Sequence, residues 1–330
     1  MKTAIVTGCA GFIGWRVSER LLDMGFSVIG LDNMNDYYDP RLKEWRLAKL
    51  KKYEKFSFYN LDISDRKGVM HLLKPESLRK VSDSYPEILI NLAARAGVRA
   101  SVENPWVYLE TNYLGTLNLL EASKEFGIKR FILASTSSIY GLNKIPFREE
   151  DRTDHPLAPY SATKKAAEAL CYTYHYLYGI DVTIPRYFTV YGPAGRPDMS
   201  YFRFIKNIDR GFPIPVYGDG RQKRDFTFID DIADGTIRCI DCEGYNIINL
   251  GNDNPVELVY IIRLIEEGLG KKAVIDWLTM HSADVPATWA DIEKAKEIIN
   301  WRPSVMIEDG IRKTIDWYRE NREFVLNLKD

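Results

Sequence analysis

Thr3-Ala4-Ile5-Val6-Thr7-Gly8-Cys9-Ala10-Gly11-Phe12-Ile13-Gly14 decides the fold of this chain. An apolar run of strand-forming residues passes directly into glycines spaced GxxGxxG. One glycine makes the strand-to-helix turn, one lets backbone approach a pyrophosphate, and one lets helix and strand pack closely. The N-terminus of the following helix offers unpaired N–H groups and a positive dipole end to phosphates. Glycines also mark plain turns, so position matters: the loop follows the strand at once.

Outward from this loop the same alternation repeats. Thr3–Thr7, Val28–Asp32, Phe56–Asp62, Ile88–Ala93, Phe131–Thr136 and Val182–Arg186 read as strands, mostly apolar on both faces. Ile13, Val17, Leu21 and Met24 keep helical spacing; Trp106–Phe126 and Ala162–Tyr178 read as further helices stopped by Gly127 and Gly179. The expected fold is α/β, a Rossmann-like doubly wound parallel sheet with a smaller α/β substrate-binding lobe. Residues 1–184 are assigned to the nucleotide-binding domain, rejoined by about 225–256, and 185–330 mainly to the second lobe. Tyr245–Gly251 reads as a returning strand; Leu258–Leu269, Ile292–Ile299 and Gly310–Asn321 read as helices.

Asp32 ends the second strand, 18 residues after Gly14. A carboxylate there accepts from both adenosine ribose hydroxyls and repels a 2′-phosphate, which predicts NAD over NADP. Its plainer reading is a turn residue. Asp62 closes the third strand, within reach of an adenine edge, and Asn91-Leu92-Ala93-Ala94 closes the fourth with small residues.

Tyr160-Ser161-Ala162-Thr163-Lys164 places a tyrosine and a lysine on one helical face. A phenol is a poor base at neutral pH, and a nearby ammonium stabilises its phenolate. The strand before it ends Ala134-Ser135-Thr136-Ser137-Ser138, and ligands in such sheets bind beyond the carboxyl ends of strands. Thr136 is therefore expected beside Tyr160; a Ser/Thr turn is the plain alternative.

The bulk numbers exclude several classes. Net charge is −1 with both signs interspersed, so no nucleic-acid groove or membrane patch is expected. The basic run Arg41–Lys55 is interrupted by glutamates and reads as a solvated helix face. No stretch approaches the ~20 apolar residues of a membrane span, and no signal-peptide core follows Lys2; a cytoplasmic protein is expected. Cys239 and Cys242 form a lone CxxC without a second pair, read as incidental, and no metal is expected.

TGCAGFIG (7–14), NLAA (91–94), Thr136 and Tyr160 with Lys164 together resemble the extended short-chain dehydrogenase/reductase family. PRYFTVYGP (185–193), RDFTFIDDI (224–232) and DVPATWAD (284–291) extend the resemblance over essentially the whole chain. Within it, DNMNDYYDPRLKEWRLAKL (32–50), AGVRASVENP (96–105) and GPAGRPDMSYFRF (192–204) are similar to the UDP-glucuronate 4-epimerases. The resemblance implies epimerisation at carbon 4 of a UDP-uronate with tightly held NAD. It implies Thr136, Tyr160 and Lys164 as the catalytic trio. The implied cofactor set is Gly8, Gly11, Phe12, Ile13, Gly14, Asp32, Asn33, Asp62, Ile63, Leu92, Ala93, Ala94, Asn112, Ser135, Tyr160, Lys164 and Tyr187. Thr136, Ser137, Ser138, Thr189 and Arg196 would surround the sugar carboxylate, Arg99 and Arg224 would serve the diphosphate, and Asp284 is a further implied substrate contact. A homodimer through a four-helix bundle of the 104–126 and 160–178 helices is implied; burial within one chain is the alternative.

Rivals share the fold. A 4,6-dehydratase is expected to show Asp-Glu after the strand threonine, where Ser137-Ser138 stands. A UDP-glucuronate decarboxylase is expected to carry glutamate in place of Ser138, and a UDP-galactose 4-epimerase has no need of Arg196. A non-catalytic NAD-sensing module tends to lose the tyrosine or lysine. Departures from the family are Arg95 in place of a usual glutamine, His281-Ser282-Ala283 before Asp284, and a longer 74–86 segment.

Overall fold

Seven apolar runs pair edge to edge, all parallel, in a computed structural model that describes residues 2–78, 84–279 and 285–329. They are β1 (Thr3–Thr7), β2 (Ser27–Asp32), β3 (Phe56–Asn60), β4 (Ile88–Asn91), β5 (Arg130–Leu133), β7 (Asp181–Tyr187) and β12 (Tyr245–Leu250). Their spatial order is β3-β2-β1-β4-β5-β7-β12, and the short β6 (Ser135–Thr136) continues beside the end of β7. Every residue of β1 and β4 is buried, because helices cover both faces of the sheet. Strand order reverses between β1 and β4, which leaves a crevice beyond their carboxyl ends. The Thr7 hydroxyl stitches that crevice: it donates to Asn91 Oδ1 at 2.7 Å and accepts from Ala93 N–H at 3.1 Å.

The run expected as one strand over 131–136 is broken at Ala134. β5 ends at Leu133, and β6 pairs with β7 at Arg186 and Tyr187. Ala134 N–H still reaches the Asn91 carbonyl, but the Ala134 carbonyl accepts from the Lys164 ammonium at 2.8 Å. The expected helix over 106–126 is continuous, with a π-type stretch at Leu109–Leu114 between α-helical Trp106–Tyr108 and Gly115–Phe126. The Pro159–Tyr178 helix starts earlier than its apolar spacing indicates, with proline in its first turn and Gly179 capping it at φ +67°.

After β7 the chain leaves the sheet. β8 (Thr189–Tyr191) pairs in parallel with β11 (Phe226–Phe228), and β9 (Pro213–Tyr217) with β14 (Val274–Leu278); β10 (Lys223–Arg224) pairs antiparallel with β13 (Val256–Glu257). The helices Ser200–Arg210, Leu258–Leu269 and Ile307–Glu320 surround these pairs. The Ile229–Arg238 helix then packs on Phe12–Asp23, and β12 joins β7. One apolar cluster spans both parts, holding Val6, Phe12 and Trp15 together with Tyr191, Phe202 and Ile315. The crevice is thus walled by two parts with a shared core.

The solvated-face reading of 41–55 is corrected. Residues Pro40–Leu50 form a helix whose N-cap Asp39 accepts from Arg41 N–H, and Lys43 and Arg46 on it are buried. Their partners lie far away in sequence, which a local charge pattern does not reveal. Among the described residues no helix is long and apolar enough to cross a membrane.

Candidate active site

A cleft of about 790 Å³ follows the crevice and runs on between the two parts. Its floor begins at the glycine loop. Gly8 has φ +67°, and a Cβ there would lie 2.8 Å from Ala93 N. At Gly14 a Cβ would stand 2.0 Å from the Gly8 carbonyl oxygen, so loop and helix close only around hydrogen. The Phe12–Asp23 helix starts here with no side-chain cap and no acid in its first turn. Its uncapped N–H groups and the bare backbone suit a dinucleotide diphosphate.

Asp32 stands beside this loop, 6% exposed. It accepts from Ala10 N–H at 3.1 Å and Met34 N–H at 2.9 Å, and the Lys43 ammonium lies 3.6 Å away. Asn33 donates to Asp62 at 2.6 Å, and Ser64 N–H donates to the same carboxylate at 2.8 Å. Burial opposes the Asp62 charge, but these hydrogen bonds hold its carboxyl below the usual range. Phe12, Ile13, Ile63, Leu92, Ala93 and Ala94 line the same stretch of cleft. The residues present fit the adenosine diphosphate half of NAD: bare backbone at an uncapped helix start suits phosphates, a buried carboxylate suits hydroxyls, and small side chains leave room beside them.

Further along, Tyr160 enters from the first turn of its helix, and Lys164 follows one turn later. Both line the cleft, with Thr136, Ser137 and Ser138. The Thr136 oxygen accepts from Ser138 N–H at 3.1 Å and lies 3.2 Å from the Ser138 hydroxyl. Burial raises the Tyr160 phenol above its ordinary value, while the Thr136 hydroxyl and the Arg196 charge pull it down. Lys164 is 3% exposed, and burial pushes its ammonium down to about 8 against the opposing charge of Glu168. It is bonded to the Ala134 carbonyl and not to Tyr160, so its expected action on the phenol is not visible in these contacts.

The far end is cationic. Arg196 forms a bidentate pair with Asp198, with Nε 3.0 Å from Oδ1. Burial disfavours the Arg196 charge, but the Asp198 carboxylate more than offsets it. The Tyr37 ring covers both Arg196, at 5.6 Å, and Arg95, at 5.2 Å. Arg99 stacks on Tyr217 at 3.9 Å, and Arg224 and Thr189 line the same wall.

Some expected residues are placed elsewhere. Asn112 does not line the cleft. It is buried in the π-type stretch, where its amide holds both backbone groups of Arg95, at 2.9 and 3.0 Å, and meets Thr163. Asn112 thus shapes the loop after β4 from behind the cleft wall. Ser135 and Tyr187 reach the wall, but their hydroxyls meet Glu168 at 2.5 Å and Thr236 at 2.8 Å. Asp284 and the 281–283 departure lie outside the described residues. Tyr37, Lys43 and Asp198 line the cleft without having been singled out. All three fall in the two segments, 32–50 and 192–204, whose family resemblance pointed here.

A family model described as GDP-mannose 4,6 dehydratase matches residues 5–314. The chain is 55% identical over 326 residues to the UDP-glucuronate 4-epimerase of Thermodesulfobacterium geofontis, covering 98% of each. It is 40% identical over 338 residues to a probable UDP-glucuronate 4-epimerase of Rhizobium meliloti, covering 96% of this chain and 97% of that one. Among solved structures, UDP-glucuronic acid 4-epimerase from Bacillus cereus in complex with UDP-glucuronic acid and NAD superposes with a TM-score of 0.89 at 34% identity. That match covers 97% of this chain and 99% of the other. A tyrosine-to-phenylalanine mutant of the Bacillus enzyme, holding a 4-deoxy-4-fluoro substrate analogue and NAD, superposes equally well.

Proposed function

The chain belongs to the extended short-chain dehydrogenase/reductases that the GDP-mannose 4,6-dehydratase model describes, and from that premise we propose that it interconverts UDP-glucuronate and UDP-galacturonate. The observation that carries this reading is one cleft holding both a candidate base and a candidate carboxylate fork. Tyr160, Thr136, the glycine loop and Arg196 line the same cleft, and the Arg196 charge reaches the Tyr160 phenol. A sugar carboxylate at Arg196 sets the pyranose ring over Tyr160.

Tyr160 takes the proton of the sugar 4-hydroxyl, and the Thr136 hydroxyl orients that group. A bound NAD, held at the glycine loop and Asp32, would supply the reversible hydride chemistry that inversion at carbon 4 requires. Lys164 supplies the positive charge that a phenolate needs. Arg99 and Arg224 hold the diphosphate, so the nucleotide stays anchored while the sugar turns. Arg196 with Ser137, Ser138 and Thr189 holds the carboxylate, since the guanidinium edge not engaged by Asp198 and the hydroxyls match its oxygens. Serines follow Thr136 where a dehydratase or decarboxylase needs acids, which favours epimerisation.

A homodimer through the 106–126 and 159–178 helices belongs to this reading, acting in the cytoplasm on UDP-sugars. The two helices pack together and leave Trp106 71% and Tyr176 77% exposed, with Leu109, Leu114 and Leu177 also accessible. Apolar side chains of that size fit a bundle with a second copy. Tyr160→Phe tests the base: turnover of UDP-glucuronate falls by roughly 100-fold or more while bound NAD is retained. Near-normal turnover contradicts the assignment.

A further inference from the structure

The Pro40–Leu50 helix buries a guanidinium that the proposed reaction does not use. Arg46 has no exposed surface and does not line the cleft. Its NH1 donates to the Ala10 carbonyl at 3.0 Å and to the Tyr38 hydroxyl at 2.7 Å. Its Nε and NH2 donate to the Ala194 carbonyl at 3.1 and 2.8 Å, and NH2 also to the Gly195 carbonyl at 3.2 Å. None of these acceptors is a carboxylate. A buried charge without an opposite charge is costly, so its retention at this point calls for a reason.

The acceptors belong to two loops that matter. Ala10 lies within the dinucleotide loop, where its N–H also donates to Asp32. Ala194 and Gly195 immediately precede Arg196. Ala194 is fully buried and has φ +52°, a left-handed conformation that a residue with a Cβ keeps only when its surroundings hold it there. Two Arg46 N–H groups grip its carbonyl. The same 32–50 segment supplies Tyr37, whose ring covers Arg196.

We infer that Arg46 is a positioning residue that ties the dinucleotide loop to the loop carrying Arg196, so that capture of the sugar carboxylate depends on a guanidinium outside the cleft. A planar fork with five donors spans both loops at once; a lysine, as a point charge, does not. The inference rests on the uronate reading above, and its test separates the two.

Arg46→Lys and Tyr38→Phe are compared with the unaltered enzyme in three measurements. Backbone hydrogen exchange in a peptide covering 192–199 accelerates in both variants, more in Arg46→Lys, while exchange in β4 stays unchanged. The KM for UDP-glucuronate rises about tenfold in Arg46→Lys and about threefold in Tyr38→Phe. The Kd for UDP, which lacks the uronate, stays within about twofold, and NAD remains bound. Unchanged exchange at 192–199 in the folded variants overturns the inference. So does a parallel loss of UDP and UDP-glucuronate binding, which marks general damage. Where Arg46→Lys does not fold, unchanged exchange and KM in Tyr38→Phe overturn it alone. Failure of the unaltered enzyme to act on UDP-glucuronate overturns the uronate reading, and the exchange result still decides whether the two loops are coupled.

Discussion

Lys164 and Glu168 stand one turn apart on the same helix, both buried, yet each is bonded to a different partner. Lys164 donates to the Ala134 carbonyl at 2.8 Å. Glu168 accepts from Arg186 at 3.0 and 2.8 Å and from Ser135 at 2.5 Å. Glu168 therefore acts on Lys164 through its charge alone, opposing the burial that pushes the ammonium down to about 8.

This predicts an alkaline limb. As pH rises through about 8, Lys164 loses its proton and the phenolate of Tyr160 loses its cation, so kcat/KM falls. Glu168→Gln removes the charge that favours the ammonium, and the limb moves to lower pH by about one unit. The same change leaves the Arg186 guanidinium, 1% exposed, without its carboxylate and costs about 3 kcal/mol of stability. pH profiles and thermal unfolding of the variant check both parts. An alkaline limb that stays in place or moves upward contradicts the assignment.

Arg196 carries the substrate-class prediction. A 4-keto uronic acid is a β-keto acid and can lose carbon dioxide; a fixed carboxylate orientation resists this. Arg196→Ala raises the KM for UDP-glucuronate by roughly 10- to 100-fold, the worth of charged hydrogen bonds. It also increases leakage to a UDP-pentose, read by product analysis. Unchanged KM and product spectrum refute the role.

Asp32 and Lys43 predict the cofactor switch. Asp32→Ser removes the carboxylate that repels a 2′-phosphate and exposes the Lys43 ammonium, 3.6 Å from that carboxylate, to one. Preference for NAD over NADP drops by roughly tenfold or more. The check is the nucleotide retained after incubation with equal amounts of both. Undiminished NAD preference contradicts the account.

What was legible in the sequence was local. The glycine loop, Asp32 and the Tyr160–Lys164 spacing each sit within one turn of backbone, and the fold follows from strand–helix alternation. What was missed depends on distant partners. Arg46 meets Ala10 and Ala194, 36 and 148 residues away, and so read as a surface charge. Ala134 breaks an otherwise continuous strand reading where its carbonyl serves Lys164. Asn112 belongs to the cofactor set that the resemblance implies, and its bonds to the Arg95 backbone, 17 residues away, are not readable from local pattern. Family resemblance points to Arg196, but its pairing with Asp198 depends on the loop's geometry.

The epimerisation itself is open to direct measurement. Incubation of the unaltered enzyme with UDP-glucuronate, followed by proton NMR of the sugar, measures it directly. The expected product is UDP-galacturonate, recognised by the inverted configuration at carbon 4, without net consumption of NAD. A UDP-pentose as the main product, or no conversion by folded enzyme with NAD bound, would contradict it.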